Sequence, residues 1–569
     1  MRTVLFKIAA IALPLVLLAA AEGIVRIFEH EPFLIAVPGE LEYQTVNPAY
    51  AGRYFRGFMP QAAFNPFLRQ KPDEVFRIIA LGGSSTAGYP YSFNSGFPER
   101  VAAGLRAIYP TRKVEVINLG MTALSSHVIR DFVPHVLRMK PDAVLIYAGH
   151  NEYYGAYGAG GVNRSRALTR TVFWFKRSVL FRKLERLIAP PVQSNRTMMA
   201  QSTTDVSIAF GGPVYQAGVQ NFETNLTAIL GRFEKAGIPT YIGTLVSNLQ
   251  SQPPLGVDSV ATAEWVSGQR HWTAGDTAAA MASFVQAKEH DPIRFRAPEA
   301  MNQILFRLSE RHAAILVDLE PQFGPDVRDS LFTDHLHPTA LGYDRMARVF
   351  VSAIVENPSN TAPDLGAPDP APLDAGHARL LIARLRLGFP FTIGLSEAEE
   401  LGRFGKILQV HRESGRSADS LAALAIAGQL AVYEALMQAK DHDLAAQDTA
   451  QALAHMRSLL YWQPFNENLH REAAELASYQ SSNLAGEVMQ LVVAREPSET
   501  YLNTLAALRI RQGALESARS LLQSIEASHP ESAVMLFNMA RYLVQVGDTL
   551  NAEVYFRRYQ QVVRRDPRR

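Results

Sequence analysis

An aspartate and a histidine three residues apart are the first residues of this sequence that could do chemistry together. They are Asp334 and His337, in the run Asp-His-Leu-His-Pro. Residues at i and i+3 lie on the same side of a helical turn or tight loop. The carboxylate can therefore hold one ring nitrogen of the imidazole and leave the other free to act as a base. A base needs a nucleophile, and a Gly-Gly-Ser-Ser-Thr turn that contains Ser84 lies far upstream.

The amino-acid composition excludes several kinds of site and partner. The 569 residues include no Cys, which excludes disulfides, thiolate catalysis and Cys-ligated metals. The 56 basic and 54 acidic residues nearly cancel, so the whole-chain charge indicates no nucleic-acid partner. No group of residues with metal-ligand spacing stands out, and we expect neither a metal nor a cofactor. The chain is too long for one hydrophobic core, so about two or three domains are expected.

The elements that must position Ser84 and His337 form a repeated pattern of an apolar, β-rich run followed by a helix. Alternating strands and helices imply a parallel sheet covered on both faces. Such sheets carry ligands at the carboxyl ends of their strands. The five strand candidates are residues 75–81, 114–118, 143–147, 239–244 and 314–318. Short stretches that follow strand ends should gather along one rim: Gly82-Gly83-Ser84, Gly120, Gly149-His150-Asn151 and Thr244.

The N-terminus has the features of a membrane segment. Arg2 and Lys7 precede an uncharged apolar run from Ile8 to Ala21. The run alone suits a signal-peptide core, and it reaches span length if flanking residues are counted. We expect residues 1–29 to be an uncleaved signal anchor; cleavage after the alanines at 19–21 and a buried core helix are the alternatives. Basic residues ahead of the run favour a body outside the cytoplasm, on the periplasmic or extracellular side.

The α/β pattern extends over residues 74–356, and residues 30–73 are interpreted as a connecting segment that lies on this domain. Two insertions interrupt the pattern. The first, 155–212, contains a basic aromatic helical stretch, for which a membrane-facing or lid-like element and a helix with a solvated basic face both remain open. The second, 258–300, has the pattern of one helical hairpin.

Residues 357–373 are rich in proline and form a predicted linker. Residues 374–569 have a helical pattern, and part of this region repeats. Prolines 464, 497 and 530 are spaced evenly, and an alanine stands twelve residues before each, at Ala452, Ala485 and Ala518. Small residues where helices cross and proline at a repeat end are what stacked helical hairpins need. The pattern resembles a tetratricopeptide array over about residues 420–565, with a general helical solenoid as the alternative, and it favours a docking surface for a protein partner.

Four short blocks of the α/β region, in order, resemble those of the SGNH hydrolases, also called the GDSL esterase and lipase superfamily. The resemblance covers roughly residues 74–355. It implies a flavodoxin-like three-layer α/β/α domain with about five parallel strands. In the first block Ser84 stands at the nucleophile position, with Gly83 in place of the family's usual Asp; a helix cap at Ser85 is the structural alternative for this turn. In the fourth block Asp334 and His337 would be the orienting acid and the general base, and His335 a bystander.

The second block, residues 118–125, would supply a backbone N–H to an oxyanion hole. The spacing from Asn118 puts that donor at Ala123, whereas residue type puts it at Gly120. A backbone donor tolerates alanine if its backbone angles are allowed, so both remain open, with a slight preference for Gly120. An ordinary turn glycine is the structural alternative.

The third block is Gly149-His150-Asn151-Glu152. By the resemblance, Asn151 would donate its side-chain amide to the oxyanion, together with the backbone N–H of Ser84. Asn is otherwise a routine turn residue after a strand. Glu152 replaces the family's usual Asp, and His150 is interpreted as a bystander.

These residues imply a serine hydrolase that acts on O-acyl esters, of a carbohydrate or a lipid, through a Ser-His-Asp triad. An O-acyltransferase with the same residues differs only in the acceptor of the acyl group. A non-enzymatic adaptor, in which the helical repeats bind a partner and the α/β domain is a platform, is the third hypothesis. The presence of Ser, Asn, Asp and His together favours the enzyme, because an adaptor need not keep all four.

Overall fold

The first element is a long helix at the N-terminus. A computed structural model describes residues 2–28, 31–55, 60, 63–91, 95–160, 166–188, 207–324, 330–355, 369–392 and 394–565. Helix α1 covers Arg2–Phe28, and the side chains of Arg2 and Lys7 lie outside the described part. Within the described residues, no helix combines the length and the apolar character that a membrane crossing requires.

The segment after α1 contains structure that its sequence pattern did not predict. Strands β1 (Leu34–Val37), β2 (Glu40–Val46) and β3 (Phe67–Leu68) form a small antiparallel sheet in that order. A short helix, α2 (Pro48–Ala51), begins where the Asn47 side chain accepts a hydrogen bond from the Ala49 N–H at 3.0 Å. The aromatic side chains of the segment join the core of the α/β domain: Phe33, Tyr50, Tyr54 and Phe67.

A five-stranded parallel sheet forms the centre of the α/β domain, as predicted. Its strands are β4 (Phe76–Gly82), β5 (Val114–Asn118), β6 (Ala143–Tyr147), β7 (Thr240–Gly243) and β8 (Ile315–Val317), each bounded within one residue of the predicted run. Their order in the sheet is β5-β4-β6-β7-β8, and every neighbouring pair is parallel. This is the flavodoxin-like order. The chain places β5 on one side of β4 and the later strands on the other side. The residues after β4 therefore border a crevice at the carboxyl edge of the sheet.

The buried Arg77 fixes β4 against its surroundings. Its side chain donates to the Glu115 carboxylate on β5 at 2.8 Å and to the backbone carbonyls of Met139 and Leu68 at 2.8 and 2.7 Å. A buried charge is tolerated only when it is paired and hydrogen-bonded. Arg77 therefore ties the large sheet to the small one through Leu68.

The helices of the α/β domain include those that cover the sheet and those of the two insertions. They are α3 (Ser84–Ala87), α4 (Phe97–Ile108), α5 (Ser126–Arg138), α6 (Arg166–Phe175), α7 (Val179–Ile188), α8 (Pro213–Lys235), α9 (Ser259–Thr273), α10 (Thr277–His290), α11 (Glu299–Arg311) and α12 (Ala340–Ile354). Helices α4 and α12 pack together on one face, and α5, α8 and α11 pack on the other. The three-layer α/β/α architecture is thus confirmed.

Both insertions contain helices. In the second, α9 and α10 pack as a hairpin, and a Cβ at Gly268 would come within 2.5 Å of the Phe284 ring. Glycine thus allows the two helices to approach closely. The first insertion contributes α6 and α7, and its residues 161–165 and 189–206 lie outside the described part.

Everything described after residue 371 is built from helices. They are α13 (Pro372–Leu387), α14 (Glu397–Arg412), α15 (Ser417–Ile426), α16 (Val432–Ala445), α17 (Thr449–Trp462), α18 (Glu467–Ser478), α19 (Asn483–Arg495), α20 (Glu499–Arg511), α21 (Leu515–Ser528), α22 (Ala533–Gln545) and α23 (Thr549–Arg565). Ala452, Ala485 and Ala518 are fully buried, where larger side chains would separate the helices. Most of the predicted linker, its residues 357–368, lies outside the described part, and α13 begins within its end.

Helix α13 and the turn after it touch the α/β domain beside the predicted base. The Arg386 side chain donates to the Thr333 carbonyl at 2.8 Å. The Phe391 ring lies 5.4 Å from the ring of His335, edge to face. The loop that carries Asp334 and His337 is therefore braced by the helical region.

Candidate active site

A turn between β4 and α3 presents Ser84 at the carboxyl edge of the sheet. The turn depends on two glycines. A Cβ at Gly82 would lie 2.0 Å from Thr86 Oγ1, and one at Gly83 would lie 2.4 Å from Asn151 Nδ2. Gly83, which replaces the family's usual Asp, therefore allows the Asn151 amide to pack directly against the turn.

The loop between β8 and α12 folds around the Asp334 carboxylate. Its Oδ1 accepts the backbone N–H of Leu336 at 2.9 Å and that of His337 at 2.8 Å. Asp side chains commonly bond the backbone two residues on in this way. The loop closes when the Thr333 N–H donates to the His337 carbonyl at 2.8 Å. The Asp-x-x-His spacing thus produces a tight turn that carries both side chains.

The structure brings Ser84, His337 and Asp334 together in one hydrogen-bonded line. Ser84 Oγ lies 2.7 Å from His337 Nε2, and His337 Nδ1 lies 2.6 Å from Asp334 Oδ2. All three residues are at most 8% exposed. Because a carboxylate only accepts, Nδ1 carries the ring proton and Nε2 is left as the acceptor for the Ser84 hydroxyl.

The Asp334 carboxylate stays ionised in this line. Burial alone would raise its pKa, but the neighbouring His337 and His335 and hydrogen bonds from His337 hold the pKa of Asp334 below its ordinary value. Asn248 secures the loop from the other side: its side-chain amide donates to the Asp334 carbonyl at 3.1 Å and its backbone N–H to the His335 carbonyl at 3.0 Å.

The two candidates for the second-block donor differ in what their N–H groups contact. The Gly120 N–H already donates to Asn118 Oδ1 at 2.9 Å. A Cβ at Gly120 would also lie 2.5 Å from the Ala87 nitrogen, so this glycine serves close packing. Within the described residues the Ala123 N–H bonds no acceptor, and Ala123 has a left-handed φ of +59°. The geometry favours Ala123, against the preference for Gly120 that residue type gave.

Asn151 lies beside both of these segments. Its side-chain amide donates one hydrogen to the Leu124 carbonyl at 3.1 Å, next to Ala123 in the chain, and packs against Gly83. An amide carries two hydrogens, so one remains for another acceptor. Asn151 thus joins the Ser84 turn to the second block.

Glu152 supports the start of α5. Its two carboxylate oxygens accept the Ser126 N–H and the Ser126 hydroxyl, each at 2.7 Å. The Asn225 amide on α8 donates to the same hydroxyl at 2.9 Å. Burial raises the pKa of Glu152 to about 7, against the opposing effect of the Ser126 hydrogen bonds. The residue that replaces the family's usual Asp therefore holds the Asn151 loop against two helices.

The remaining polar residues of the predicted rim have structural partners. His150 Nδ1 accepts the Ala297 N–H at 3.1 Å, and burial lowers the pKa of His150 to about 3. Burial likewise lowers the pKa of His335 to about 3, and its ring lies between Phe295 and Phe391. The Thr244 hydroxyl joins the loops after β7 and β8 through Asp318 and Leu319.

Three neighbouring groups could by composition hold a metal ion. Ligand atoms of Asp334, His335 and His337 lie within 4.8 Å of one another, the one such group among the described residues. Asp334 and the Nδ1 atom of His337 already share a hydrogen bond, and His337 Nε2 faces Ser84. A metal at this position would compete with the bond that orients the imidazole.

Sequence reasoning missed two residues that shape the site. The Tyr89 ring packs on the His337 imidazole, with centroids 4.6 Å apart, and its carbonyl accepts the Tyr343 hydroxyl at 2.6 Å. Asn248 holds the Asp334 loop. Neither residue has a local sequence signal, because each acts across a long sequence separation.

The chain matches one family model and several solved structures over part of its length. Residues 80–345 match the model of the GDSL-like lipase/acylhydrolase family. Comparison with curated proteins found no match. Solved structures similar to this chain include a lipase/acylhydrolase from Enterococcus faecalis, at 16% identity over 49% of this chain and 94% of that one, with a TM-score of 0.27. Another is an acetylxylan esterase from Geobacillus stearothermophilus, at 15% identity over 49% and 93%, with a TM-score of 0.28.

The family match begins in β4 and ends in α12, so it includes both the Ser84 turn and the Asp334–His337 loop. Residues 80–345 therefore match a GDSL-like lipase/acylhydrolase domain, and this match supports an ester-bond hydrolase.

Proposed function

We propose that the protein hydrolyses O-acyl esters, of a carbohydrate or a lipid, with Ser84 as the nucleophile. In this proposal His337 is the general base and Asp334 the orienting acid. The observation that carries the proposal is the unbroken line from Ser84 Oγ through the imidazole to Asp334, with contacts of 2.7 and 2.6 Å. A free serine hydroxyl is a weak nucleophile, and an adjacent imidazole in this orientation activates it.

The reaction proceeds in two halves. Ser84 Oγ attacks the ester carbonyl carbon while its proton passes to His337 Nε2. Asp334 stabilises the imidazolium that forms. The tetrahedral intermediate collapses, the alcohol leaves with the proton from His337, and the acyl group stays on Ser84. Water, deprotonated by His337, then attacks the acyl-enzyme and releases the carboxylic acid.

The negative charge on the carbonyl oxygen needs donors that are already in place. The proposed set is the N–H of Ser84, the N–H of Ala123 and the second hydrogen of the Asn151 amide. Support comes from the Ala123 N–H, which bonds no acceptor among the described residues, and from the packing of Asn151 on Gly83. Loss of one donor of this kind typically costs about 10²–10³ in rate.

The proposed location of the catalytic body is outside the cytoplasm, held at a membrane by residues 1–29. This part of the proposal rests on the sequence alone: Arg2 and Lys7 stand ahead of an apolar run. Topology mapping with a reporter fused after residue 569 would test it. A reporter active only in the cytoplasm would contradict it.

The hydrolase proposal is tested by p-nitrophenyl acetate turnover of the full chain and of Ser84→Ala. The variant should lose about 10⁴-fold or more of the native kcat, because the nucleophile is gone. Ser85→Ala is the matched control: Ser85 is also buried, its hydroxyl bonds no partner among the described residues, and its loss should leave kcat near native. A fluorophosphonate probe should label Ser84. Label on another serine, or equal turnover by native protein and Ser84→Ala, would overturn the assignment.

A further inference from the structure

A second cleft, which does not include Ser84, is lined by several arginines. It lies between α5, α6 and α8 and has a volume of about 210 Å³. Its lining includes four guanidinium groups and one carboxylate: Arg130, Arg170, Arg177, Arg232 and Asp131. Like charges repel one another unless an anion lies between them, so the cleft carries an excess of positive charge that its described residues do not balance.

The pairing of these groups shows where the excess lies. Arg177 contacts Asp131 at 3.3 Å, and Asp131 also accepts the Tyr54 hydroxyl at 2.6 Å. Arg130 donates to the neutral side chain of Asn225 at 3.2 Å. Burial lowers the pKa of Arg130, and the charges of Arg170 and Arg232 lower it further. Within the described residues, neither Arg170 nor Arg232 forms an ion pair.

Four guanidinium groups that converge on a cleft with a single carboxylate match the charge of a phosphate group. Arginine binds phosphate oxygens through paired N–H donors, with a geometry that a single ammonium lacks. A cleft of this size, open to solvent, has room for one phosphate with a small substituent. The chemistry of the cleft therefore indicates a phosphorylated ligand.

Exposed apolar side chains beside the cleft identify the source of that phosphate. Trp174 borders the cleft and is 64% exposed. Phe175 follows it, and at the far end of α7 Leu187 and Ile188 are about four-fifths exposed. Aromatic and apolar residues beside arginines are the pattern of an element that lies at a membrane surface, with its apolar side chains below the headgroups.

Helix α1 continues this surface. The Glu22 carboxylate accepts the Ser178 hydroxyl at 2.6 Å and the N–H groups of Val179 and Leu180 at 3.0 and 2.9 Å, so it caps α7. Arg26 donates to the carbonyl of Arg177 at 2.9 Å. The end of α1 exposes further apolar side chains, among them Ile24, Ile27 and Phe28. A soluble phosphate ester would not require exposed apolar side chains on all three helices.

We propose that the arginine cleft binds the phosphate of an anionic membrane phospholipid while apolar side chains of α6 and α7 enter the surface of the bilayer. Arg170 and Arg232 contact the phosphate, and Trp174 lies at the depth of the upper acyl chains. The surface would hold the catalytic domain against the membrane independently of the chemistry at Ser84.

The test uses full-chain protein in nanodiscs whose acyl chains carry bromine, which quenches tryptophan fluorescence at short range. The chain has four tryptophans, so the difference between native protein and Trp174→Phe isolates the emission of Trp174. Brominated phosphatidylglycerol discs should quench that emission about twofold more than brominated phosphatidylcholine discs. Equal quenching by the two lipids, or accessibility of Trp174 to aqueous iodide in both, would overturn the proposal.

A pair of variants with equal charge tests the cleft itself. Arg170→Gln with Arg232→Gln should reduce the quenching by phosphatidylglycerol to the phosphatidylcholine level. The double variant Arg311→Gln, Arg519→Gln removes the same charge from exposed positions elsewhere. It should leave the quenching by phosphatidylglycerol unchanged. If both double variants lose the lipid preference alike, general charge and not the cleft is responsible. If the cleft variant instead loses calorimetric binding of inorganic phosphate while Trp174 stays unquenched by either lipid, the ligand is a soluble anion and the membrane assignment is wrong.

Discussion

Two histidine–aspartate pairs of nearly equal geometry lie in the two regions of the molecule. In the α/β domain, His337 Nδ1 lies 2.6 Å from Asp334 Oδ2. In the helical region, His455 Nδ1 lies 2.7 Å from Asp443 Oδ2. Both imidazoles are buried. The pairs differ at the second ring nitrogen: Nε2 of His337 faces the Ser84 hydroxyl, whereas Nε2 of His455 accepts the backbone N–H of Leu373 at 3.3 Å.

The difference teaches what a carboxylate–imidazole pair needs before it can catalyse. Orientation by the acid is common to both pairs. In the helical region the free lone pair satisfies a backbone N–H at the start of α13, so that histidine joins α13 to α17. In the α/β domain the same lone pair meets a hydroxyl at the open edge of a sheet. The neighbour of Nε2, and not the pair itself, separates a structural contact from a base.

Removing each imidazole in turn should produce the largest difference between the two pairs. His337→Ala should lower kcat for p-nitrophenyl acetate by about 10⁴–10⁶-fold, because the hydroxyl loses its base. His455→Ala should keep kcat within about twofold and lower the stability by about 3 kcal/mol, because a buried carboxylate loses its partner. Initial rates and thermal unfolding measure the two effects. A folded His455→Ala protein without activity would contradict the assignment of the two roles.

Replacing the acids by amides sharpens the comparison. Asp334→Asn should lower kcat by about 10⁴-fold, because the amide favours the wrong tautomer of His337. Asp443→Asn should leave kcat unchanged and lower the free energy of unfolding by about 1 kcal/mol, the value of one weakened hydrogen bond. Steady-state kinetics and urea unfolding of both variants check this. A similar loss of rate in both would show that the helical pair also acts on the reaction.

A third comparison uses two asparagines that both donate to a backbone carbonyl. Asn151 donates to Leu124 at 3.1 Å, and the buried Asn538 donates to Asn503 at 3.3 Å. Asn151→Ala should reduce kcat by about 10²–10³-fold with little change in KM, because the donor acts on the transition state. Asn538→Ala should affect only the unfolding temperature. A change in KM alone for Asn151→Ala would make Asn151 a substrate contact and not an oxyanion donor.

The smallest expected effect is a pH dependence of opposite sign in the two regions. Burial raises the pKa of Glu152 to about 7, so Glu152 costs stability as the pH rises from its ordinary pKa toward 7. Burial lowers the pKa of His455, so His455 costs stability as the pH falls below its ordinary value of 6.5. Relative to the native protein, the unfolding temperature of Glu152→Gln should therefore be higher at pH 8 than at pH 5. The relative unfolding temperature of His455→Gln should be higher at pH 5 than at pH 8.

Unfolding temperatures of the two variants and the native protein at pH 5 and pH 8 measure these differences. Gln can keep both contacts of Glu152 with Ser126, one of them with the donor reversed, so Glu152→Gln should retain the local fold. Slopes of the same sign for both variants would contradict the burial effects assigned to Glu152 and His455.

The sequence was sufficient for features that depend on local pattern. Strand β6 is an uninterrupted apolar run, and such runs in a βα alternation predict a buried parallel strand. Ser84 follows a Gly-Gly pair at a strand end, and His337 follows Asp334 by one turn. The carboxyl ends of parallel strands share one edge of the sheet, so any parallel arrangement of these units brings the serine and the histidine to that edge.

Other features depend on contacts between distant segments and carry no local signal. In the small sheet, β2 pairs with β3 across the segment that holds α2, so no local period predicted β3. Strands β1 and β2 form a local hairpin, but residues 30–73 have no clear period that would have predicted it. The choice between Gly120 and Ala123 depended on the Asn118 side chain. It accepts the N–H of Gly120, whereas the N–H of Ala123 has no acceptor among the described residues. The pair His455–Asp443 joins two different helices, where no fixed sequence spacing applies.

The brace from α13 limits how far the two regions can be separated. Arg386 and Phe391 belong to the helical region by sequence, yet they contact Thr333 and His335 in the loop that orients the imidazole. Cleavage within residues 356–368 followed by loss of the C-terminal fragment would remove that support. We therefore expect the shortest fragment that keeps a supported Asp334 loop to end beyond residue 391, past the last residue of the family match. A foreign repeat array grafted after α12 would therefore have to rebuild the missing brace.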